Sequence, residues 1–286
     1  MDVSSAEAML RPAATGLAEA WRVLVTAERE QVESLPNRPR PEDFYGPISD
    51  AFRADPHRTD EELLDRLRAF VRPDETWVDV GAGGGRYALP IALLAKRVYA
   101  VEPSAGMRQT LVESAREHGI DNIEVFDERW PGQSTAPMAD VSFISHVGYD
   151  IADIGPFLDE MEAHTRRMCV AVLFEASPIA DFAALWRQVH GEDRVVLPGM
   201  RELTALLFAR GSFPQLSLMK LPPRLYESKE ALLRAVRRPL WVLEGTPEDE
   251  RLQKAVQEIA VDVDGGVALR PQPRCLGIAT WEPVRH

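Results

Sequence analysis

Val78-Asp79-Val80-Gly81-Ala82-Gly83-Gly84-Gly85-Arg86 carries an apolar stretch through four glycines into the helical pattern Ala88 to Lys96. The reading is a strand, a tight turn and a helix N-terminus. Glycine suits a turn that needs positive φ, and it suits backbone that must lie against a ligand with no Cβ between them. The next β-rich run, Arg97 to Val101, ends in Glu102, twenty-one residues beyond Gly81. From that spacing a carboxylate reaches a ribose diol bound over the first turn, so the ligand implied is a nucleoside. The dinucleotide pattern wants Gly or Ala where this chain has Arg86. The sequence reads G-x-G-x-G instead, which disfavours a nicotinamide cofactor.

Outward from this stretch, short β-rich runs alternate with helical patterns. The runs are Trp77 to Val80, Arg97 to Val101, Ile123 to Phe126, Val141 to Ser145 and Met168 to Phe174. Such alternation predicts a parallel sheet with crossover helices. Ser104 is placed to cap a helix over Ala105 to His118, with Gly119 to end it. Thr246-Pro247-Glu248-Asp249 starts another, and late strands are expected at Gln215 to Met219 and Cys275 to Trp281. Upstream, a helical rhythm over residues 15 to 34 (Leu17, Trp21, Leu24, Val25) gives way to Pro36, Pro39 and Pro41. A second amphipathic helix is expected from Asp60 to Val71. The division expected is a helical cap over 1–72, a nucleoside-binding core over 73–178, and helices with the last strands over 179–286. In that last part Phe182, Leu185, Trp186, Val189, Leu203, Leu206 and Leu207 would help wall a substrate pocket.

Asp79 two residues before the first glycine, followed by Glu102-Pro103-Ser104, resembles the class I S-adenosylmethionine (SAM) methyltransferase family. Residues 79–85 and 101–107 stand as its first and second signature segments, and the resemblance covers roughly residues 76 to 178. It implies a seven-stranded, mostly parallel Rossmann-like sheet with helices on both faces, an N-terminal helical cap, and an antiparallel late strand. The implied cofactor is S-adenosyl-L-methionine. By the same resemblance Gly81, Gly83 and Gly85 line its methionine and ribose, Asp79 orients the loop and the amino group, Glu102 holds the two ribose hydroxyls, and Ala82 and Pro103 belong to the cofactor-binding set. After the third strand the family commonly sets an acid at the adenine amino group. Asp127 and Glu128 are the candidates, although strict register falls on Arg129. Trp130 either stacks on the base or anchors the chain after the strand. Ser145, His146 and Tyr149 stand at the end of the fourth strand, where this fold faces cofactor and acceptor. His146 either deprotonates the acceptor or bonds backbone, and Tyr149 either presents its hydroxyl or packs. Tyr45 either touches the cofactor from a lid or tucks the cap onto the sheet.

Among 286 residues, 33 basic against 45 acidic give a net charge of −12. That field repels a polyanion, so nucleic acid is an unlikely partner. Two cysteines allow no disulfide framework and no cysteine-rich zinc site, and no H-x-x-x-H spacing occurs, so no metal is expected. The N-terminus has no basic start or apolar signal core, and the longest apolar run, nine residues from Tyr87 to Ala95, falls short of the ~20 that span a bilayer. A cytoplasmic protein without a membrane anchor is expected. Arg234, Arg237 and Arg238 read as a solvated helix face. The chain lacks the Asn/Asp-Pro-Pro-Tyr segment of base and glutamine amino methyltransferases and the Pro-Cys of C5-cytosine enzymes. The activity expected is methyl transfer from SAM to an oxygen, nitrogen or carbon nucleophile of a small molecule. RNA or protein methylation and non-catalytic SAM sensing are the alternatives, and oligomeric state leaves no mark in the sequence.

Overall fold

Parallel strands bury both faces under crossover helices, and the apolar runs of this chain do so around one sheet. The computed structural model describes residues 12–36, 43, 46–132, 135–269 and 274–284. In chain order come α1 (Ala14–Glu33), a 3-10 turn (Gly46–Phe52), α2 (Glu62–Arg68), β1 (Thr76–Val80), α3 (Ala88–Ala92), β2 (Arg97–Val101), α4 (Ala105–Glu117) and β3 (Ile123–Phe126). Then follow β4 (Ala139–Ser145), α5 (Ile154–Ala163), β5 (Thr165–Phe174), a second 3-10 turn (Pro178–Phe182), α6 (Ala183–His190), α7 (Met200–Ala209) and β6 (Gln215–Leu221). The chain closes with α8 (Lys229–Arg237), α9 (Pro247–Ile259), a small hairpin of β7 (Val261–Val263) and β8 (Gly266–Ala268), and β9 (Arg274–Trp281).

Seven strands form the main sheet in the order β3-β2-β1-β4-β5-β9-β6. β1 runs parallel to β2 and to β4, while β9 runs antiparallel to both β5 and β6. The strand order reverses between β1 and β4, and in open sheets of this kind ligands settle beyond the strand C-termini at such a reversal. The glycine turn leaves β1 at that point.

One face of the sheet, with Val78, Val80, Ile144, Ala171 and Leu173, packs under α1, α5 and α7 through Trp21, Phe157, Leu158, Leu203 and Leu207. The other, with Trp77, Ala100, Phe143, Val170 and Val172, packs under α2, α3 and α4 through Leu64, Leu67, Ile91 and Leu111. A third cluster lies apart from the sheet, where Leu185, Trp186 and Val189 of α6 meet Val236 of α8 and Leu252 and Val256 of α9. The residues expected to wall a pocket are therefore divided between two cores. Leu185, Trp186 and Val189 belong to the third cluster and Leu203, Leu206 and Leu207 to the first.

The helix after the glycine turn is shorter than the apolar pattern predicts, ending at Ala92 instead of Lys96. The reason is the return to the sheet: Lys96 already donates its N–H to Glu75 O at 2.9 Å, drawing the chain out of helix and into β2.

Candidate functional site

The glycine turn is held to the end of β2. Gly81 N–H donates to Val101 O at 2.8 Å, and Ala82 N–H reaches the same oxygen at 3.2 Å. Gly81 has φ +74° and a Cβ there would collide with Val147 Cγ2. Gly83, at φ +56°, has only Met107 Sδ within 4.0 Å of where a Cβ would stand, so its backbone is bare to the groove. Its N–H donates to Glu102 Oε2 at 2.8 Å, and Ser104 N–H donates to Glu102 Oε1 at 2.8 Å. Each carboxylate oxygen thus takes one backbone donor and keeps a lone pair. Burial, against these two N–H groups, raises the Glu102 pKa.

Asp79, on β1 beneath the turn, is 4% exposed and accepts no hydrogen bond from another described residue. Burial, followed by the neighbouring Glu102 charge, pushes its pKa up to about 8. Two crowded acids at the strand C-termini form a site that a cation relieves.

The segment before α2 closes over this turn. Ser104 Oγ donates to Asp43 Oδ2 at 2.8 Å, Gly46 N–H to Asp43 Oδ1 at 2.9 Å, and Gly106 N–H to Asp43 Oδ2 at 3.3 Å. Glu61 gathers Arg58 Nε at 2.8 Å, Arg86 Nη2 at 2.7 Å and Tyr87 Oη at 2.8 Å. Burial opposes its ionisation, but the Arg58 and Tyr87 hydrogen bonds and the Arg86 charge outweigh it and lower its pKa. Arg108 donates to Glu102 O at 2.8 Å and to Asp127 Oδ2 at 2.7 Å. Asp43, Glu61 and Arg108 escape sequence reading because each finds its partner through the fold, with no spacing that announces it.

Of the residues proposed for the adenine end, Asp127 stands at the C-terminus of β3 beside Glu102, tied to Arg108. Glu128 accepts the Thr135 N–H at 3.1 Å. Trp130 does not stack in the groove. It is buried in the first core, its ring lies edge-on to His164 with centroids 4.9 Å apart, and its indole N–H donates to Phe157 O at 3.4 Å. It is the anchor of the two readings. Tyr45 lies outside the described residues. Pro103 follows Glu102 and leads into α4, whose cap is Ser104. Ser145 ends β4 with its Oγ shielded and unpartnered.

Next to Ser145, His146 has φ +58°, a strained conformation for a residue with a Cβ. Its Nδ1 lies 3.2 Å from Tyr149 Oη, and that hydroxyl accepts the Phe174 N–H at 2.7 Å. The phenol oxygen can donate to Nδ1 or accept from it beside this N–H, so the contact fits either tautomer of the neutral ring. Tyr149 is buried and holds His146, so its hydroxyl is not presented to a substrate. The imidazole stacks on Phe174 with centroids 4.9 Å apart. The residue is exposed to solvent, although protein crowds the ring. Desolvation, then the Arg274 and Arg86 charges, lower its pKa to about 4. Beyond Phe174 a cavity of about 420 Å³ opens between the ends of β5 and β9 and the residues around Leu197. No group of His, Cys, Asp and Glu that could hold a metal occurs among the described residues, and no described helix is long and apolar enough to cross a membrane.

No family model matches the chain. Over 115 residues it is 26% identical to an uncharacterized protein of Haemophilus influenzae, a match covering 40% of this chain and 39% of that protein. Over 58 residues it is 41% identical to the 23S rRNA (uracil(1939)-C(5))-methyltransferase RlmD of Edwardsiella ictaluri, covering 20% of this chain and 13% of the enzyme. The matches thus span less than two thirds of either relative. Among solved structures, the YcgJ protein of Bacillus subtilis superposes with a TM-score of 0.56 at 16% identity, over 78% of this chain and 98% of that one. Coclaurine N-methyltransferase, bound to N-methylheliamine and SAH, gives 0.52 at 11% identity, over 92% and 88%. The chain has the class I SAM-dependent methyltransferase fold.

Proposed function

We propose that this protein binds S-adenosyl-L-methionine and transfers its methyl group to an oxygen, nitrogen or carbon nucleophile of a small molecule. One observation carries the reading. The bare backbone at Gly83, the two-oxygen purchase of Glu102 and the unpartnered Asp79 converge at the strand-order reversal. These residues fit the cofactor by charge and by shape. Glu102 has lone pairs left for a ribose diol, Gly83 leaves room for a ligand chain, and Asp79 gains a partner in a ligand ammonium. When bound, the cofactor supplies an electrophilic methyl group on a sulfonium.

The protein's share is placement. Holding a nucleophile in line corresponds to effective molarities of about 10⁵ to 10⁸ M in favourable cases. With its pKa near 4, His146 is neutral at physiological pH, so its ring carries one N–H donor and one nitrogen acceptor. It deprotonates the acceptor or positions it by a hydrogen bond, according to which ring nitrogen carries the proton.

Calorimetry with S-adenosylhomocysteine should give a single site, and Glu102→Ala should weaken it about 100-fold, since two charge-assisted hydrogen bonds to the sugar disappear. A methyl-release assay over small acceptors, with RNA as a separate arm, then reads the acceptor class. His146→Ala should lower turnover and leave nucleoside affinity unchanged. Equal affinity in Glu102→Ala, or no binding at millimolar supply, ends the proposal. Turnover on RNA alone ends its small-molecule part.

A further inference from the structure

The cavity beyond Phe174 is lined by Leu24, Phe174, Ser177, Leu197, Arg201 and Arg274, among others. Its volume is in the range of small-ligand sites. Its charged groups are unequal. Arg201 and Glu175 form an ion pair with each other, Glu202 accepts the Gly199 N–H at 2.8 Å, and Asp181 has an interaction of its own. The side chain of Arg274 makes no hydrogen bond or ion pair with a described residue. Its guanidinium lies 5.0 Å over the Phe174 ring, and its Nε is shielded from solvent with no acceptor among the described residues. Ser177, 2% exposed, has a hydroxyl in the same condition on the same cavity. Buried donors are almost always paired in native proteins, and two unpaired ones on a single wall mark a place where something else supplies the acceptor.

We infer that Arg274 and Ser177 form an anion subsite of this cavity, so that the methyl acceptor is a small organic acid whose carboxylate or phosphate oxygens rest there while its nucleophile lies at His146. The inference rests on the proposed methyl transfer. Phe174 sets the spacing, since the His146 ring stands 4.9 Å and the Arg274 guanidinium 5.0 Å from it. Both groups lie against this one ring, so an acceptor entering along its edge from the cavity would meet the guanidinium with one end and His146 with the other. A guanidinium held on an aromatic ring is preorganised for a two-oxygen anion, because its fork has already lost its freedom. The local cation also answers the −12 net charge, which otherwise holds small anions off.

The test is ligand-detected NMR on the protein saturated with S-adenosylhomocysteine, using three matched series: aromatic carboxylates, aromatic phosphate esters and the carboxamides of the same rings. Anions should bind, with the amides about tenfold weaker or worse. Arg274→Gln should bring the anions down to the amide level, Arg274→Lys should restore part of the difference, and Ser177→Ala should give a smaller loss. S-adenosylhomocysteine affinity should stay the same in all three variants. Whichever anionic series binds better identifies the source of the oxygens. Amides equal to anions, an Arg274→Gln protein with unchanged anion binding, or no binding in any series at millimolar supply would each overturn the subsite. Failure of the nucleoside to bind is read in its own titration and overturns the methyl transfer reading instead. The same series against the nucleoside-free protein keeps the two outcomes apart.

Discussion

Asp79 is the residue at which stability and binding oppose each other. Its pKa of about 8, raised by burial and then by Glu102, means that the free protein holds it protonated at neutral pH. An acid whose folded pKa lies above its unfolded value favours the fold at low pH, and that contribution fades as pH rises through the folded value. Wild-type stability should therefore decline from about pH 4, the unfolded carboxylate range, to about pH 8 relative to Asp79→Asn, which cannot ionise, and level off above that. The same variant should bind S-adenosylhomocysteine at least about tenfold more weakly, because a neutral amide replaces a charge-assisted partner of the ligand ammonium. Thermal melts across that range, with calorimetry in buffers of different ionisation enthalpy, check both. Wild type should release a proton on binding that the variant does not. Parallel pH–stability curves for the two proteins would show that Asp79 does not titrate there.

At the scale of elements, α8 and α9 are joined by a contact the sequence hides. Arg237 reads as one of three arginines on a solvated face, yet it donates to Asp249 Oδ1 at 2.8 Å and to Oδ2 at 3.1 Å. Asp249 is 1% exposed and also accepts from Gly245 N–H and Gln253 Nε2, both within 3.1 Å. Burial works against its ionisation, but these donors outweigh it and lower its pKa. Its contribution to stability is thus present above the unfolded carboxylate value and lost as pH falls through the lower folded one. Asp249→Ala removes the acceptor of Arg237, Gly245 and Gln253, leaves the guanidinium with Glu244 at 3.3 Å, and should destabilise the protein by about 1–3 kcal/mol, measured by urea unfolding at neutral pH. A loss under about 1 kcal/mol would mean that solvent replaces the pair.

The contrast with α4 shows what a sequence makes legible. Ser104 as cap, the glycine turn after β1 and Glu102 at the end of β2 follow from local spacing, and the structure has them in those positions. The strand alternation was legible for the same reason, since period and turn chemistry act over a few residues. Asp43 on Ser104, Arg237 on Asp249 and Trp130 against His164 depend on which elements meet, and no local pattern encodes that. Within the candidate site the positions of the glycine turn, Glu102 and Ser104 were therefore readable. The Tyr149–His146–Phe174 arrangement and the cavity beyond it were not.

Across the whole molecule, α1 ties two cores together. Trp21 and Val25 lie in the core beneath the sheet, with the Trp21 indole N–H donating to Ile151 O at 3.0 Å, while Val32 belongs to the cluster of α6, α8 and α9. Between them Arg194, its side chain 1% exposed, pairs with Glu28, donates to Gln31 Oε1 at 2.8 Å and lies 4.1 Å over the Trp186 ring. Burial lowers the Arg194 pKa despite the Glu28 charge, so the cation depends on that partner. Glu28→Ala should destabilise the protein by about 3–5 kcal/mol. Because the lost contact is the tie, amide exchange should rise most over residues 183–259 and least in β1 and β2. Joining Glu28→Leu to Arg194→Met removes both charges together and should recover most of the loss, since a buried pair is replaced by apolar side chains. Uniform acceleration of exchange in Glu28→Ala would mean that the two cores open as one unit. In that case the wall of the cavity near Leu197, which the third cluster flanks, would loosen only when the whole fold does.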